Sequence, residues 1–360
     1  MHRALELARR SLGSVSPNPA VGAVVVNRGK VVGEGHTQPP GGDHAEVIAL
    51  RQAGDLTLGA ELFITLEPCS RHGRTPPCID AITAAGIARV HVGAIDPNPA
   101  EDGRGLSRLR EAGIEVMVAS DPSESLAASR LIGAYRKHST TGTPFVTSKF
   151  AMSLDGKIAD RAGRSKWITG ESARVRAHEL RAESDAILVG IGTVIADDPR
   201  LTARDTAGRP KRRQPLRVIV DSNGRVPLDS TVVSGEGRTL IACIEMGEPT
   251  RSTLASRGVE VEVLPDRHGR VDLDALLKLL GSRGVTSVLV EGGGRVAGSF
   301  FDGGLVDRVA AFIAPVIVGG QGAPGPVGGS GVADIAGALK LGDLSWEKVG
   351  DDLLVVGYPI

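Results

Sequence analysis

The chain has 360 residues, 41% of them apolar and only 3% aromatic, with 42 Lys plus Arg against 42 Asp plus Glu. That length suits two domains with sizeable cores, while balanced charge and scarce aromatics exclude a basic or base-stacking platform for nucleic acid. No apolar run approaches the ~18 residues of a membrane span, the amphipathic start around Glu6 lacks a secretory apolar core, and three cysteines fit a reducing, cytoplasmic setting without disulfides.

In chain order, the apolar run 21–26, a turn at 27–30 and the short return 31–32 predict a β-hairpin. Helical spacing follows over 45–53, a strand over 61–66, and a helix over 78–85 stopped by Gly86. Strands over 90–95 and 114–118 flank a helix over 106–111, which together give a mixed α/β layer. Residues 121–138 predict one more helix, and 139–144 a polar linker, so the boundary is expected near residue 143. Beyond it the alternation resumes, with strands over 145–150, 186–189, 216–220, 239–244, 259–264, 288–291 and 308–318. Helices are expected over 174–181, 272–281 and 296–301. Cys243, inside an apolar run, reads as a buried strand residue.

The other two cysteines belong to a constellation: His44-Ala45-Glu46, then Glu67-Pro68-Cys69, then Cys78. A His/Cys/Cys set with a glutamate two residues after the histidine is the pattern of zinc-dependent nucleobase deaminases. Catalytic zinc keeps three protein ligands and leaves a fourth position for water, whose pKa falls to about 7. In mid-helix, positions i and i+2 diverge, but at a first turn both can project past the helix end. Cys78 also opens a helix, whose N-terminus favours thiolate, and Cys69 follows a strand. The alternatives are a closed structural zinc site, with His36 or His72 as fourth ligand, or unrelated buried residues. The usual signature has two residues between its cysteines; here the interval is 70–77.

Pro17-Asn18-Pro19-Ala20-Val21-Gly22, Leu66-Glu67-Pro68-Cys69-Ser70, Gly73-Arg74-Thr75-Pro76-Pro77-Cys78 and Asp96-Pro97-Asn98-Pro99 closely resemble the bifunctional deaminase–reductases of riboflavin biosynthesis. The resemblance runs over essentially the whole chain. It implies a cytidine-deaminase-like three-layer α/β/α domain over 1–143 and a dihydrofolate-reductase-like α/β domain over 144–360. It further implies zinc on His44, Cys69 and Cys78, with Glu46 moving protons. Asn18, His72 and Arg74 would meet a phosphorylated pyrimidine, the diamino-ribosylamino-pyrimidinone 5′-phosphate. Their bland counterparts are an Asn-Pro turn and a solvated polar loop. Arg71 stands where relatives often carry a second histidine, a change that touches no ligand. A homo-oligomer is expected.

In the second half, Glu291-Gly292-Gly293-Gly294-Arg295-Val296-Ala297-Gly298 fits G-x-G-x-x-A between a strand and a helix. It reads equally as a phosphate-binding turn or a tight structural one, since no full dinucleotide-binding unit surrounds it. Segments 149–157, 165–170 and 192–199 resemble the reductase half of the same family. The resemblance implies NADPH lined by Ala151, Trp167, Thr193, Asp197, Ser222 and Gly293, Gly294, Arg295, Val296, Ala297, Gly298 and Ser299. Lys149, Ser165, Arg181, Leu201, Arg204 and Glu291 would meet the substrate. Arg181 and Arg204 suit a substrate phosphate but could also be solvated or salt-bridged. Trp167 could be core, and Asp155 either a neighbour of the nicotinamide or a turn former. The rival readings are a deaminase of tRNA adenosine or a free base, a regulatory protein with structural zinc, and a fusion with one degenerate half.

Overall fold

The computed structural model describes residues 1–73 and 76–360. It divides into two compact units, Met1–Thr143 and Pro144–Ile360.

The first unit runs α1 (His2–Arg9), β1 (Gly22–Asn27), β2 (Lys30–His36), α2 (Ala45–Ala53), β3 (Glu61–Ile64), α3 (Cys78–Ala84), β4 (Arg89–Val92), α4 (Arg104–Glu111), β5 (Glu115–Val118), α5 (Pro122–Leu131) and α6 (Gly133–Thr141). Among the described residues it builds one five-stranded sheet, ordered β2-β1-β3-β4-β5. β1 is antiparallel to both neighbours, whereas β3, β4 and β5 run parallel. The central strands read apolar because helices cover them; Leu62, Ile64, Val90 and Val92 are almost fully buried.

Register collects several loops at one end of this sheet. Gly22 pairs with His36, Ala23 with Ile64, and Ile64 with Val92. The approach to β1 and the exits from β2, β3 and β4 therefore share an edge. α2 lies against β2 closely enough that a Cβ on Gly35 would sit 2.1 Å from the Ala45 carbonyl oxygen. Only glycine lets the first turn of α2 approach the sheet this way.

The helix expected over 121–138 is two helices. Asp121 caps α5 by accepting the Ser123 N–H at 2.8 Å, with Pro122 at the first position. Helical geometry lapses at Ile132 (φ −96°, ψ 11°), which is buried, just before Gly133. Burial of the isoleucine and the poor helix propensity of glycine win over continuity. Much of the expected linker is helical too, because α6 continues to Thr141 and stops at Gly142 (φ 72°).

The second unit comprises β6 (Phe145–Ser153), α7 (Glu171–Glu183), β7 (Ala186–Gly190), α8 (Ile191–Asp197), β8 (Leu216–Val220), α9 (Thr231–Ser234), β9 (Thr239–Cys243), α10 (Glu248–Ser256), β10 (Val259–Val263), α11 (Leu273–Ser282), β11 (Ser287–Val290), α12 (Gly294–Asp302), β12 (Arg308–Ala314), β13 (Leu341–Val349) and β14 (Asp352–Pro359). Its sheet order is β10-β9-β8-β7-β11-β6-β12-β14-β13. The first seven of these strands are parallel, and β14 and β13 close the far side antiparallel. Cys243 is buried on β9, as its apolar surroundings required.

Two differences from the sequence pattern have simple causes. The last parallel strand ends at Ala314, not 318, because Pro315 follows and cannot donate to a ladder. The β13–β14 hairpin lies beyond the last strand expected. β13 is exposed along most of its length, so no alternation of buried and exposed residues marks it.

Candidate active sites

Three elements deliver the donors of the first site. His44 occupies the cap position before α2, with extended backbone (φ −73°, ψ 159°), and Glu46 lies in the first turn of that helix. Cys78 is the first residue of α3, and Cys69 lies in the loop after β3. His44 Nδ1 is 3.1 Å from Cys78 Sγ and 3.6 Å from Cys69 Sγ, and the three donor atoms lie within 4.8 Å of one another. Tetrahedral zinc with bonds of roughly 2.0 to 2.3 Å sets its ligands about 3.5 Å apart, so this donor set fits the ion. Among the described residues no fourth histidine, cysteine or carboxylate joins the group. His36 is engaged elsewhere, its Nδ1 3.2 Å from Ser11 Oγ. Three donors are the number that a zinc site with one position left for water requires.

The electrostatics follow from the convergence. Cys78 hydrogen-bonds Cys69, and together with the Cys78 backbone N–H (3.3 Å) and His44 it holds the Cys69 thiol well below the ordinary thiol range. Sharing its proton with that thiolate, in a buried position, pushes Cys78 up. Hydrogen bonding to Cys69 raises His44. Glu46 is 4% exposed, and burial, reinforced by the facing Cys69 sulfur, holds it up at about 7. The Cys78 thiol also hydrogen-bonds Glu46, which brings the carboxylate to the donor set.

The sequence pattern gave Glu67 no role, yet its carboxylate organises the Cys69 loop. Oε1 accepts the N–H groups of Gly105 (2.8 Å) and Leu106 (3.3 Å), capping α4; Oε2 accepts those of Asp96 and Gly103, both at 3.0 Å. On the other side of Cys69, Glu101 Oε2 accepts from the Ser70 N–H (2.9 Å) and hydroxyl (2.6 Å). Arg108 Nη1 donates to the Ser70 carbonyl at 2.7 Å. Two buried acids therefore brace the Cys69 loop, Glu67 by tying it to backbone N–H groups of 96–106 and Glu101 by holding Ser70. Glu67, an acid directly after an apolar strand and two residues before a cysteine, was the available signal; Glu101, far along the chain, gave none.

Asn18 is half-buried on the approach to β1, at the same end of the sheet as the donors. His72 is exposed in the loop between the cysteines, and Arg74 lies outside the described residues.

The second unit holds a cleft of about 970 Å³ at the carboxyl ends of β7, β8 and β11, where parallel sheets bind ligands. Of the expected cofactor residues, Thr193, Asp197, Ser222, Gly293, Gly294, Arg295, Val296 and Ser299 line it, as does Ser165. The Gly293 N–H donates to Thr193 Oγ1 at 3.2 Å, Ser165 Oγ to Asp197 at 3.2 Å, and the Val271 N–H to Ser222 Oγ at 3.2 Å. Ala151, Trp167, Ala297 and Gly298 are not in its lining. Ala151 packs toward the core beside Phe312, and Ala297 is buried in α12. Trp167 is 72% exposed, with the Arg174 guanidinium 4.6 Å above its ring, so it is not a core residue. A Cβ on Gly298 would lie 2.3 Å from the Gly328 carbonyl carbon, and one on Gly294 2.8 Å from the Gly325 oxygen. These two glycines are required by the 325–329 loop packing on α12.

The expected substrate residues form a second group. Arg181 grips Glu291 with two bonds of 2.8 Å, and Lys149 Nζ is 3.6 Å from the same carboxylate. Burial works to raise the Glu291 carboxyl, but Arg181 and Lys149 prevail and hold it at about 2. Arg181 Nη1 also donates to the Thr202 carbonyl (3.2 Å), and Arg204 Nε to Thr202 Oγ1 (3.1 Å), beside buried Leu201. Arg181 is thus salt-bridged, with its fork occupied. Asp155 takes the turn role, accepting from the Ser153 hydroxyl and from the N–H groups of Val318 and Gly319.

Comparison with known proteins agrees with both halves. Residues 1–94 match the cytidine and deoxycytidylate deaminase zinc-binding region, and residues 144–355 the RibD C-terminal domain. The riboflavin biosynthesis protein RibD of Actinobacillus pleuropneumoniae is 43% identical, covering 99% of this chain and 93% of its own length. That of Escherichia coli is 42% identical over 95% and 92%. Among solved structures, Acinetobacter baumannii RibD superposes with a TM-score of 0.85 at 36% identity, covering 100% of this chain and 97% of that one. The Thermotoga maritima diaminohydroxyphosphoribosylaminopyrimidine deaminase/5-amino-6-(5-phosphoribosylamino)uracil reductase does so at 0.83 and 37%, with the same coverage.

Proposed function

The chain belongs to the RibD family, the bifunctional zinc deaminases and NADPH-dependent reductases of riboflavin biosynthesis, and from that premise we propose how its own residues divide the work. The observation that carries the reading is the convergence of His44, Cys69 and Cys78 with Glu46 beside them. Zinc held by those three donors supplies the Lewis acidity that makes water a nucleophile at neutral pH. Glu46 takes a proton from the attacking water and returns it to the leaving amine, so that a ring C–NH₂ and water become C=O and ammonia. Asn18 and the loop with His72 and Arg74 hold the ribose phosphate of the substrate.

In the second unit, NADPH supplies the hydride that converts the ribosyl group to ribityl. Thr193, Asp197, Ser222 and residues 293–296 and 299 hold it in the cleft. Lys149, Arg181 and Glu291, with Ser165, Leu201 and Arg204 nearby, position the sugar end of the substrate. Ala151, Trp167, Ala297 and Gly298 contribute from the margins of the site. A cytoplasmic protein acting on a small molecule and not on nucleic acid completes this reading, supported by three free cysteines and balanced charge. Self-association is part of it, favoured by the edge strand β13 with Leu344 and Trp346 exposed.

Glu46→Gln tests the assignment directly. Ammonia release from the diaminopyrimidine should fall about a thousandfold or more, with zinc content and NADPH oxidation on the deaminated product retained. Normal ammonia release in that variant overturns the role of Glu46.

A further inference from the structure

Residues 198–204, in the connection between α8 and β8, carry Leu201 and Arg204 on a backbone that would not hold its shape unaided. Asp198 (φ 40°) and Leu201 (φ 50°) both take the left-handed conformation without being glycine. An aspartate can offset the cost with local hydrogen bonds, but a leucine has none to offer. Strain of this kind persists only where the surroundings over-determine it, and it gathers at functional sites.

The groups that hold the segment can be named. Asp198 accepts the Thr231 N–H and hydroxyl, both at 2.7 Å. The Leu201 side chain is buried in the core beside Ile219 and Val226. The Gln214 amide brackets Ala203, accepting its N–H and donating to its carbonyl, both at 2.9 Å. Between these anchors the Thr202 carbonyl is bonded twice from α7, by His178 Nδ1 at 3.0 Å and by Arg181 Nη1 at 3.2 Å. Positions 178 and 181 are three apart, so both side chains leave one face of that helix.

The two donors are not equivalent. Arg181 also grips Glu291 through Nε and Nη2, whereas among the described residues His178 hydrogen-bonds Thr202 alone. A carbonyl only accepts, so Nδ1 carries the imidazole proton. Burial lowers the pKa of the ring, the Arg181 and Arg204 guanidiniums act the same way, and Glu291 opposes them. The neutral ring protonated at Nδ1 is therefore the favoured form.

We propose that His178 is a positioning residue of the reductase site: its Nδ1–H fixes the Thr202 carbonyl, and through it the strained segment that presents Leu201 and Arg204 to the sugar end of the substrate. The proposal rests on the reductase reading above. A carbonyl oxygen bonded by two donors is set in distance and direction, while one bonded by Arg181 alone can swing about that bond. The imidazole acts through the backbone and not on the reacting atoms. Its loss therefore weakens substrate binding and leaves hydride transfer within the bound complex intact.

The test follows NADPH oxidation on the deaminated product in the full-length protein and its H178L, H178N and H178Q variants, with thermal unfolding as the control for folding. Asparagine carries an amide donor at the Nδ1 distance from the backbone, and glutamine carries one at the Nε2 distance. H178L and H178Q should raise KM for the deaminated product about tenfold, with kcat and KM for NADPH changing less than about twofold. H178N should stay within about twofold of the wild type in all three. An unchanged KM in folded H178L, a glutamine variant as good as the asparagine one, or equal losses in kcat and NADPH affinity would each overturn the positioning role. If H178L does not fold, the asparagine–glutamine pair decides. Absence of NADPH oxidation in the wild type would instead overturn the reductase reading itself.

Discussion

The two units concentrate chemistry in opposite ways. In the first, the candidate metal donors are packed within 4.8 Å of one another, each fixed by a helix start or a clamped loop. In the second, a cleft of about 970 Å³ is walled largely by turns and helix ends at the carboxyl edge of a parallel sheet. A point-like site depends on a few positions that nothing else can replace. A cleft distributes its binding over many residues, so single positions there matter through the charges they hold.

That contrast can be broken in order of expected effect. Glu291→Gln should be the most damaging to stability, because it leaves Arg181 and Lys149 without their shared carboxylate. The loss should be about 3 kcal/mol in denaturant unfolding of the second unit, with deamination retained; a change below about 0.5 kcal/mol would deny the pair its structural weight. The same carboxyl, held at about 2 against an ordinary 4.5, contributes stability that is present above pH 4.5 and lost as pH falls toward 2.

Glu67→Gln probes the point-like site from behind. An amide cannot accept all four backbone N–H groups that the carboxylate accepts, so Cys69 should lose its fixed position. Zinc should pass to a chelator about 10 to 100 times faster, a loss typical of removing an outer support, while NADPH binding stays as it was. Equal release rates would mean that the loop holds itself.

The smallest effect concerns acid response. Burial holds the Asp96 carboxyl up at about 6, above an ordinary 3.8. The fold prefers its neutral form, so this contribution is complete below about pH 3.8 and is lost as pH rises through 6. Asp96→Asn should flatten the first unit's stability between pH 4 and 6 and raise it by about 1 kcal/mol at pH 7. The sign is opposite to that of Glu291, and matching pH profiles in the two units would contradict the difference.

Much of this was legible in the chain itself. Helix α2 spans the predicted residues 45–53, and strand β8 the predicted 216–220, since both have strong periodicity and clear stops. The donor set was legible because zinc chemistry restricts ligands to a few residue types. The break at Ile132 and the exposed β13–β14 hairpin were not, because burial partners and edge pairing outweigh local propensity there. Asp155 had two readings, and only its neighbours, the N–H groups of Val318 and Gly319, gave it the turn; in the glycine run after β11 the backbone at 325–329 explains Gly294 and Gly298, while Gly293 and Gly294 also line the cleft.

The sequence by itself determined which atoms can bind metal or carry charge, since that depends on residue type. Tertiary structure decided which of them share a volume, which glycines are steric and which line the cleft, and that Glu67 clamps where it does not coordinate. Those outcomes turn on distances between segments far apart in the chain, and no local pattern encodes a distance.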